Sequence, residues 1–236
     1  MPPVIKRRIC IRVDEMGPLH AMNTACLRSC LEGVARSVEV MVPGPWFGEA
    51  AAMLHETAKE GRPVDCGIHL TLTSEYDAIK WRPLTRFPAV DGRGYFLRSA
   101  LGVKSVIALK QSDIFDECAA QIVMGREALP NVTHFSAHMF AVPDPIMRQL
   151  SETFRLPCEV TGPKLDIHLL TLDGIVDGGF YHFHPLEKSP EIESLGEHLC
   201  ERVKVTDYLC APGTRRAFRA AGVEILSYAA FRKAFP

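Results

Sequence analysis

Three runs of this sequence, far apart in the chain, each place polar side chains at the end of a strand-like stretch. The first ends in Asp14-Glu15, the second is Gly67-Ile-His69-Leu-Thr-Leu-Thr73, and the third carries His134 and His138. The carboxyl ends of parallel strands meet at one edge of a sheet, so this edge would bring the side chains together. Carboxylate oxygen and imidazole nitrogen are both ligands of divalent ions. The sequence therefore predicts a mononuclear metal site.

Strand-like and helical segments alternate along the chain. Strands are predicted at 7–13, 38–42, 64–70, 132–136 and 223–226, with short candidates near 157–160 and 179–183. Helices are predicted near 19–34, 47–60, 112–129, 145–154, 189–199 and 213–221, where apolar residues recur at helical spacing. The order predicts an α/β fold with a parallel sheet, either open or closed into a barrel. Residues 1–236 are predicted to form a single domain, because no linker or repeat interrupts them.

Charge and composition narrow the class of partner. Lys and Arg number 27 against 28 Asp and Glu, which leaves no basic excess for binding nucleic acid. No apolar run reaches membrane-spanning length, and eight cysteines without a CxxC pair are typical of reduced thiols in a cytoplasmic protein. A small-molecule or oligosaccharide substrate is expected, and a homodimer is compatible with this type of fold.

The spacing of the polar residues within each run indicates which of them could bind a metal and which could face water or substrate. Asp14 and Glu15 are adjacent on a strand, so they are expected to point to opposite sides, one toward a metal and the other toward water or substrate. If His134 and His138 lie where a strand ends and turns, only one of them is expected to reach the metal. Each run also has a plainer explanation, such as a solvated turn or a core histidine, and only their combination favours a site.

Together these runs resemble the YdjC-like carbohydrate deacetylases, also called the ChbG/HpnK family. Members carry Asn-Ala-Asp-Asp-Phe-Gly, then Gly-x-His-Leu-Thr-Leu-Thr, then Thr-His-x-Asp-Ser-His, and a late His-Pro. The matching segments are Ile11–Gly17, Gly67–Thr73, Thr133–His138, Phe183–Pro185, and Arg202 with Asp207 and Leu209. The match covers almost the whole chain, and the His69 run is its most specific part.

The resemblance implies an irregular (β/α) barrel related to the NodB-type deacetylases. It implies hydrolysis of the acetamide group of N-acetylated amino sugars, such as chitooligosaccharides. By this resemblance Asp14 is the catalytic base, Glu15, His69 and His138 hold the metal, and His134 lines the substrate site. We expect one divalent ion, Mg²⁺ or Zn²⁺ first, with Co²⁺, Ni²⁺ or Mn²⁺ as alternatives.

Three further residues complete the predicted site. His184, at the end of another strand-like run, is expected to protonate the leaving amine. Arg202 is expected to bind substrate. The stretch 74–100 lacks periodicity, as functional loops often do, so Trp81 and Tyr95 are candidates for stacking on sugar rings or, equally, for a place in the core.

The chain departs from the family pattern in the first and third runs. Glu15 stands where the family has Asp, Met16 where it has Phe, and Ser136-Ala137 where it has Asp-Ser. The last change is expected to remove a polar group that could orient the ligand histidine. The departures leave two alternatives open. One is a metal-dependent hydrolase of another amide or ester, and the other is a non-catalytic carbohydrate-binding barrel.

Overall fold

All strands that the structure describes run parallel in one sheet. The structure is a computed structural model that describes residues 7–159 and 172–235. The strands are β1 (Arg7–Met16), β2 (Ser37–Val40), β3 (Asp65–Leu70), β4 (Val132–Ala137), β5 (Phe180–Phe183) and β6 (Val223–Leu226). The helices are α1 (His20–Leu31), α2 (Phe47–Lys59), α3 (Ser99–Ile107), α4 (Gln111–Ala128), α5 (Asp144–Phe154), α6 (Pro190–Leu195), α7 (Glu197–Cys210), α8 (Pro212–Ala220) and α9 (Tyr228–Ala234). The predicted β–α alternation is confirmed.

The order of strands places β1 near the centre of the sheet. The strands follow the path β4-β3-β2-β1-β5, and β6 pairs with the first part of β1 outside this path. β1 is ten residues long, so one of its edges pairs with β5 along Cys10–Val13, and the other pairs with β6 along Arg7–Cys10 and then with β2 from Arg12 onward. The first run, the His69 run and the His134 run lie on β1, β3 and β4. Because these strands are parallel, their carboxyl ends lie at the same edge of the sheet.

The sheet curls until its two ends approach each other. Tyr228, the first residue of α9, stacks on His134 of β4 with ring centroids 3.8 Å apart. The same ring lies 5.8 Å from that of Phe180, which belongs to β5 at the opposite end of the strand order. The backbone N–H groups of Tyr228 and Ala229 also donate to Ser37 Oγ and Asp65 Oδ2, at the starts of β2 and β3, so the start of α9 closes the end of the barrel where the strands begin. This is the irregular barrel that the resemblance implied, with helices on the outside.

The core divides into an apolar layer outside the sheet and a polar column inside it. Apolar side chains of β1, such as Ile9, Ile11 and Val13, are buried under the helices. The alternate residues face inward, where Arg12 contacts Glu39 of β2, and Glu39 contacts His134 of β4. Strand alternation explains this division, because neighbouring residues of a strand point to opposite faces.

Two helices differ from the sequence prediction at their ends. The helix predicted to begin at Ser189 does begin there, and the Ser189 side chain accepts a hydrogen bond from the backbone N–H of Ile192. It does not run on to Leu199, because Gly196 has a φ of +134° and divides it into α6 and α7. The helix predicted to start at Ser112 begins at Gln111 without a side-chain cap.

Two further findings concern the cysteines and the helices. All eight cysteines are free thiols. Among the helices of residues 7–159 and 172–235, none combines the length and apolar character needed to cross a membrane.

Gly67 offers a test of the packing inside the barrel. A Cβ at this position would overlap the carboxylate of Glu39 and the ring of His134. We expect Gly67→Ala to lower the free energy of unfolding by about 1–3 kcal/mol, the usual cost of overpacking. Denaturant unfolding followed by circular dichroism measures this change.

Gly48→Ala is the matched control, because a Cβ at Gly48 would meet nothing within 4 Å. An added methyl on a helix in open space leaves stability unchanged or raises it slightly. Equal stability of the Gly67→Ala protein and the wild type would contradict the close approach of Gly67 to these two side chains.

Candidate active site

A bulge at the end of β1 brings both acidic residues of the first run to the site. Val13 pairs with Val38 and Met16 with Val40, so β1 holds one more residue than β2 over this interval. Glu15 has a φ of +70°, a left-handed conformation that is uncommon outside glycine. The bulge turns Glu15 back toward the barrel mouth. The expectation that Asp14 and Glu15 point to opposite sides is therefore wrong, because the strand is not regular there.

Asp14 is held by Arg12 through two hydrogen bonds. Arg12 Nε donates to Asp14 Oδ1 at 2.7 Å, and Nη2 donates to Oδ2 at 2.9 Å. Both side chains are buried. Burial alone would raise the pKa of Asp14, but the Arg12 guanidinium and, after it, His69 hold the pKa well below its usual range. Asp14 is therefore an ionised carboxylate in a fixed orientation.

Glu15 is placed between a cation and two histidines. Arg202 of α7 donates to Glu15 Oε2, while Oε1 lies 3.5 Å from His184 Nε2 and 3.9 Å from His138 Nδ1. Burial opposes ionisation of Glu15, but Arg202 and then the two histidines lower its pKa well below the usual value. Arg202, predicted to bind substrate, therefore has Glu15 as its contact in the structure.

His69 and His138 face each other at the barrel mouth. His138 Nδ1 lies 3.2 Å from His69 Nε2. The other nitrogen of His69 lies 2.7 Å from Ser136 Oγ, so Ser136 orients this ring. The other nitrogen of His138 contacts Glu75, a residue of the loop after β3. Sequence reasoning missed Glu75, because it lies in a stretch without periodicity.

Two of the three predicted ligands, Glu15 and His138, belong to one cluster of side chains that could hold a metal ion. The ligand atoms of Glu15, Glu75 and His138 lie within 4.8 Å of one another. The third predicted ligand, His69, adjoins this cluster, with its Nε2 3.2 Å from Nδ1 of His138. A second cluster joins Asp14 to His182 and His184. There both carboxylate oxygens of Asp14 already accept hydrogen bonds from Arg12, so the first cluster is the better metal site.

His134 lies below the site rather than in it. Its side chain is fully buried, and Nε2 lies 2.9 Å from Glu39 Oε1 while Tyr228 covers the ring. The prediction that His134 lines the substrate site is therefore wrong in this structure. His134 sits in the same layer as Gly67, one layer of inward-facing residues below His69 and Ser136.

The aromatic residues of the loop between β3 and α3 support the loop itself. Trp81 is 2% exposed, and its Nε1 donates to the carbonyl of Thr73 at 2.8 Å. The stacking role proposed for Trp81 is therefore replaced by the core alternative. Tyr95 borders a surface cavity between Asp77 and Arg93, but the Arg82 guanidinium lies over its ring at 4.4 Å.

Among the described residues of the site, Arg202 and His184 reach the surface. Asp14, Glu15, His69 and His138 are all buried, whereas the side chains of Arg202 and His184 are 26% and 35% exposed. A substrate would reach the buried groups past this rim. Burial lowers the pKa of His184 and the Glu15 carboxylate opposes the change, so His184 is neutral at pH 7.

Comparison with known proteins points to one family. The profile described as YdjC-like protein matches residues 8–220. A carbohydrate deacetylase of Thermus thermophilus is 33% identical over 64% of this chain, and the match spans only about half, 52%, of that relative. A carbohydrate deacetylase of Geobacillus stearothermophilus is 25% identical over 96% of this chain and 99% of its own length.

Solved structures share the fold at low sequence identity. A proposed cellobiose-phosphate cleavage protein from Enterococcus faecalis V583 has a TM-score of 0.77 at 16% identity and covers 95% of this chain and 98% of its own. The peptidoglycan deacetylase PdaC from Bacillus subtilis has a TM-score of 0.54 at 12% identity, covering 97% of this chain and 91% of its own. The predicted relation to deacetylase barrels is confirmed at the level of the fold.

Removing Arg12 tests the charge arrangement below the site. Arg12→Met would leave Asp14 and Glu39 buried without their cation, so we expect the free energy of unfolding to fall by about 3–5 kcal/mol. Denaturant unfolding at pH 7 measures the change. Arg8→Met is the control, because Arg8 is exposed and pairs with Asp177 at the surface, and its effect should be much smaller. Equal effects of the two substitutions would contradict the proposed arrangement.

Proposed function

Because this chain belongs to the YdjC-like protein family, we propose that it is a metal-dependent hydrolase that removes acetyl groups from N-acetylated amino sugars or their oligosaccharides. The observation that carries the proposal is the arrangement of Asp14 and His184 beside the ligand atoms of Glu15, His69 and His138. The curated relatives support the choice of substrate class, since they are named carbohydrate deacetylases.

Glu15, His69 and His138 would hold one divalent ion. Two imidazoles and a carboxylate suit Zn²⁺ or Co²⁺ better than Mg²⁺, which prefers oxygen ligands and water. When bound, the ion supplies Lewis-acid chemistry, polarising the acetyl carbonyl and lowering the pKa of a bound water from 15.7 to about 7. Arg202 holds Oε2 of Glu15, which leaves Oε1 directed toward the histidines.

Asp14 acts as the acceptor of the water proton. Its carboxylate is ionised throughout the neutral pH range, and Arg12 fixes its plane, so it does not have to be oriented during the reaction. Because of its low pKa, Asp14 holds the proton only briefly. A ring nitrogen of His184 lies within 4.8 Å of an Asp14 carboxylate oxygen, close enough to receive the proton in turn.

His184 acts as the donor to the leaving nitrogen. An amine leaves an amide only if it is protonated, because the free amide anion is too basic. His184 begins neutral, takes up the proton that originated from water and transfers it to the amine. Its partial exposure on the rim supports this role, because a sugar acetamide would approach from the exposed side. The proton balance closes, since the proton leaves the water and ends on the product amine.

Acetate release tests the proposal directly. We expect the protein to release acetate from N-acetylglucosamine oligomers when Zn²⁺ or Co²⁺ is added and to lose this activity after chelation. Asp14→Asn should lower kcat about 100- to 10,000-fold, the usual contribution of a positioned proton acceptor, while metal content stays unchanged. Asp116→Asn, an exposed position on α4, is the control. Full activity of the Asp14→Asn protein would exclude Asp14 as the proton acceptor.

The role of His184 can be separated from metal binding by changing the leaving group. His184→Gln should strongly reduce hydrolysis of the sugar acetamide but hardly affect 4-nitrophenyl acetate, whose leaving group needs no proton. His55→Gln, on the exposed side of α2, is the control. An equal loss with both substrates would show that His184 is not the proton donor.

A further inference from the structure

The two ligand histidines approach each other through different ring nitrogens. His138 Nδ1 and His69 Nε2 lie 3.2 Å apart and form the inner side of the pair. Each outer nitrogen has its own partner: Ser136 Oγ lies 2.7 Å from His69 Nδ1, and Glu75 contacts His138 Nε2. The rings are steeply inclined to each other, at 71°, so they present these nitrogens edge to edge.

Glu75 differs from the other two carboxylates at the barrel mouth in the partner that it contacts. Asp14 is held by Arg12, and Glu15 is held by Arg202. Glu75 instead contacts the ring of His138 at Nε2. Its side chain is 15% exposed, so this contact lies largely out of water. A buried carboxylate against the outer nitrogen of a ligand histidine is the usual means of fixing the ring and its tautomer.

We propose that Glu75 is a positioning residue that accepts a hydrogen bond from Nε2–H of His138 and so reserves Nδ1 of that ring for the metal ion. Ser136 has the converse role and reserves Nε2 of His69. The two histidines therefore bind the ion through opposite ring nitrogens. This inference rests on the metal site of the proposed function and adds to it the residue that sets the tautomer of His138.

The position of Glu75 explains how a ligand histidine can still be oriented although the third run departs from the family pattern. The family's Asp-Ser pair is replaced by Ser136-Ala137, which appeared to leave the ligand histidine without an orienting carboxylate. The structure supplies a carboxylate from a different segment, the loop that follows β3. Ser136 remains beside His69, so each ring keeps one partner on its outer side.

The first experiment reads the ring nitrogens of the Zn²⁺-loaded protein by long-range ¹H–¹⁵N NMR of labelled histidine. His69→Gln and His138→Gln variants assign the two rings. We expect Zn²⁺ on Nδ1 of His138 with a proton on Nε2, and the reverse pattern for His69. If Glu75 only supported the fold, it would not determine which nitrogen of His138 binds Zn²⁺. Binding of both rings through Nε2 would overturn the proposal.

The second experiment measures Zn²⁺ affinity by competition with a chromophoric chelator. Glu75→Ala should weaken binding about 10- to 100-fold, as loss of an orienting partner usually does. Glu75→Gln keeps a carbonyl acceptor for Nε2–H and should lose clearly less. Asp77→Asn is the matched control, because Asp77 lies on the same loop but is exposed and pairs with Arg98.

The outcomes distinguish this inference from the proposed function. Equal losses for Glu75→Gln and Glu75→Ala would make Glu75 a direct ligand and overturn the positioning role. Wild-type affinity in the Glu75→Ala protein, with its fold verified by circular dichroism, would also overturn it while acetate release by the wild type keeps the proposed function. A wild-type protein that binds neither Zn²⁺ nor Co²⁺ would overturn both.

Discussion

The pairing of the Arg12 guanidinium with carboxylates inside the barrel is the interaction on which the rest of the structure depends. Arg12 is completely buried, and it contacts Asp14 toward the mouth, Glu39 across β2 and Glu159 after β4. A cation without water is tolerated only when carboxylates surround it. The same contacts that neutralise Arg12 also orient Asp14. The barrel interior is therefore both the structural support of the site and the source of its fixed carboxylate.

The polar residues inside the barrel form two layers with different roles. In the lower layer Arg12 pairs with Glu39, Glu39 contacts His134, and all three side chains are fully buried. In the upper layer, His69 and its neighbours lie near the open rim. This arrangement explains why two histidines only four residues apart serve different purposes. His134 belongs to β4 and points into the column, whereas His138 follows the strand and lies at the mouth.

Much of the fold was predictable from the sequence, and so was the meeting of Asp14, Glu15, His69 and His138. Apolar periodicity located most strands and helices, and parallel strand ends converge by geometry. Arg12 was hidden because an arginine inside an apolar run gives no sign that carboxylates from other strands surround it. Glu75 and Trp81 lie in the loop between β3 and α3, where no regular spacing of apolar residues indicates which side chains make contacts. The helix α9 is short, and its place depends on contacts with residues from several strands, including Ser37, Asp65 and His134.

The Glu15–Arg202 contact has a consequence for how sequences of this kind can change. The bulge fixes the backbone direction at residue 15, and the longer glutamate side chain lets one carboxylate contact α7 and face the histidines at once. A shorter acid at position 15 would give up one of these partners. The arginine at position 202 matches the family pattern while Glu15 departs from it, so the change at position 15 lengthens the acid against a cation that is already in place.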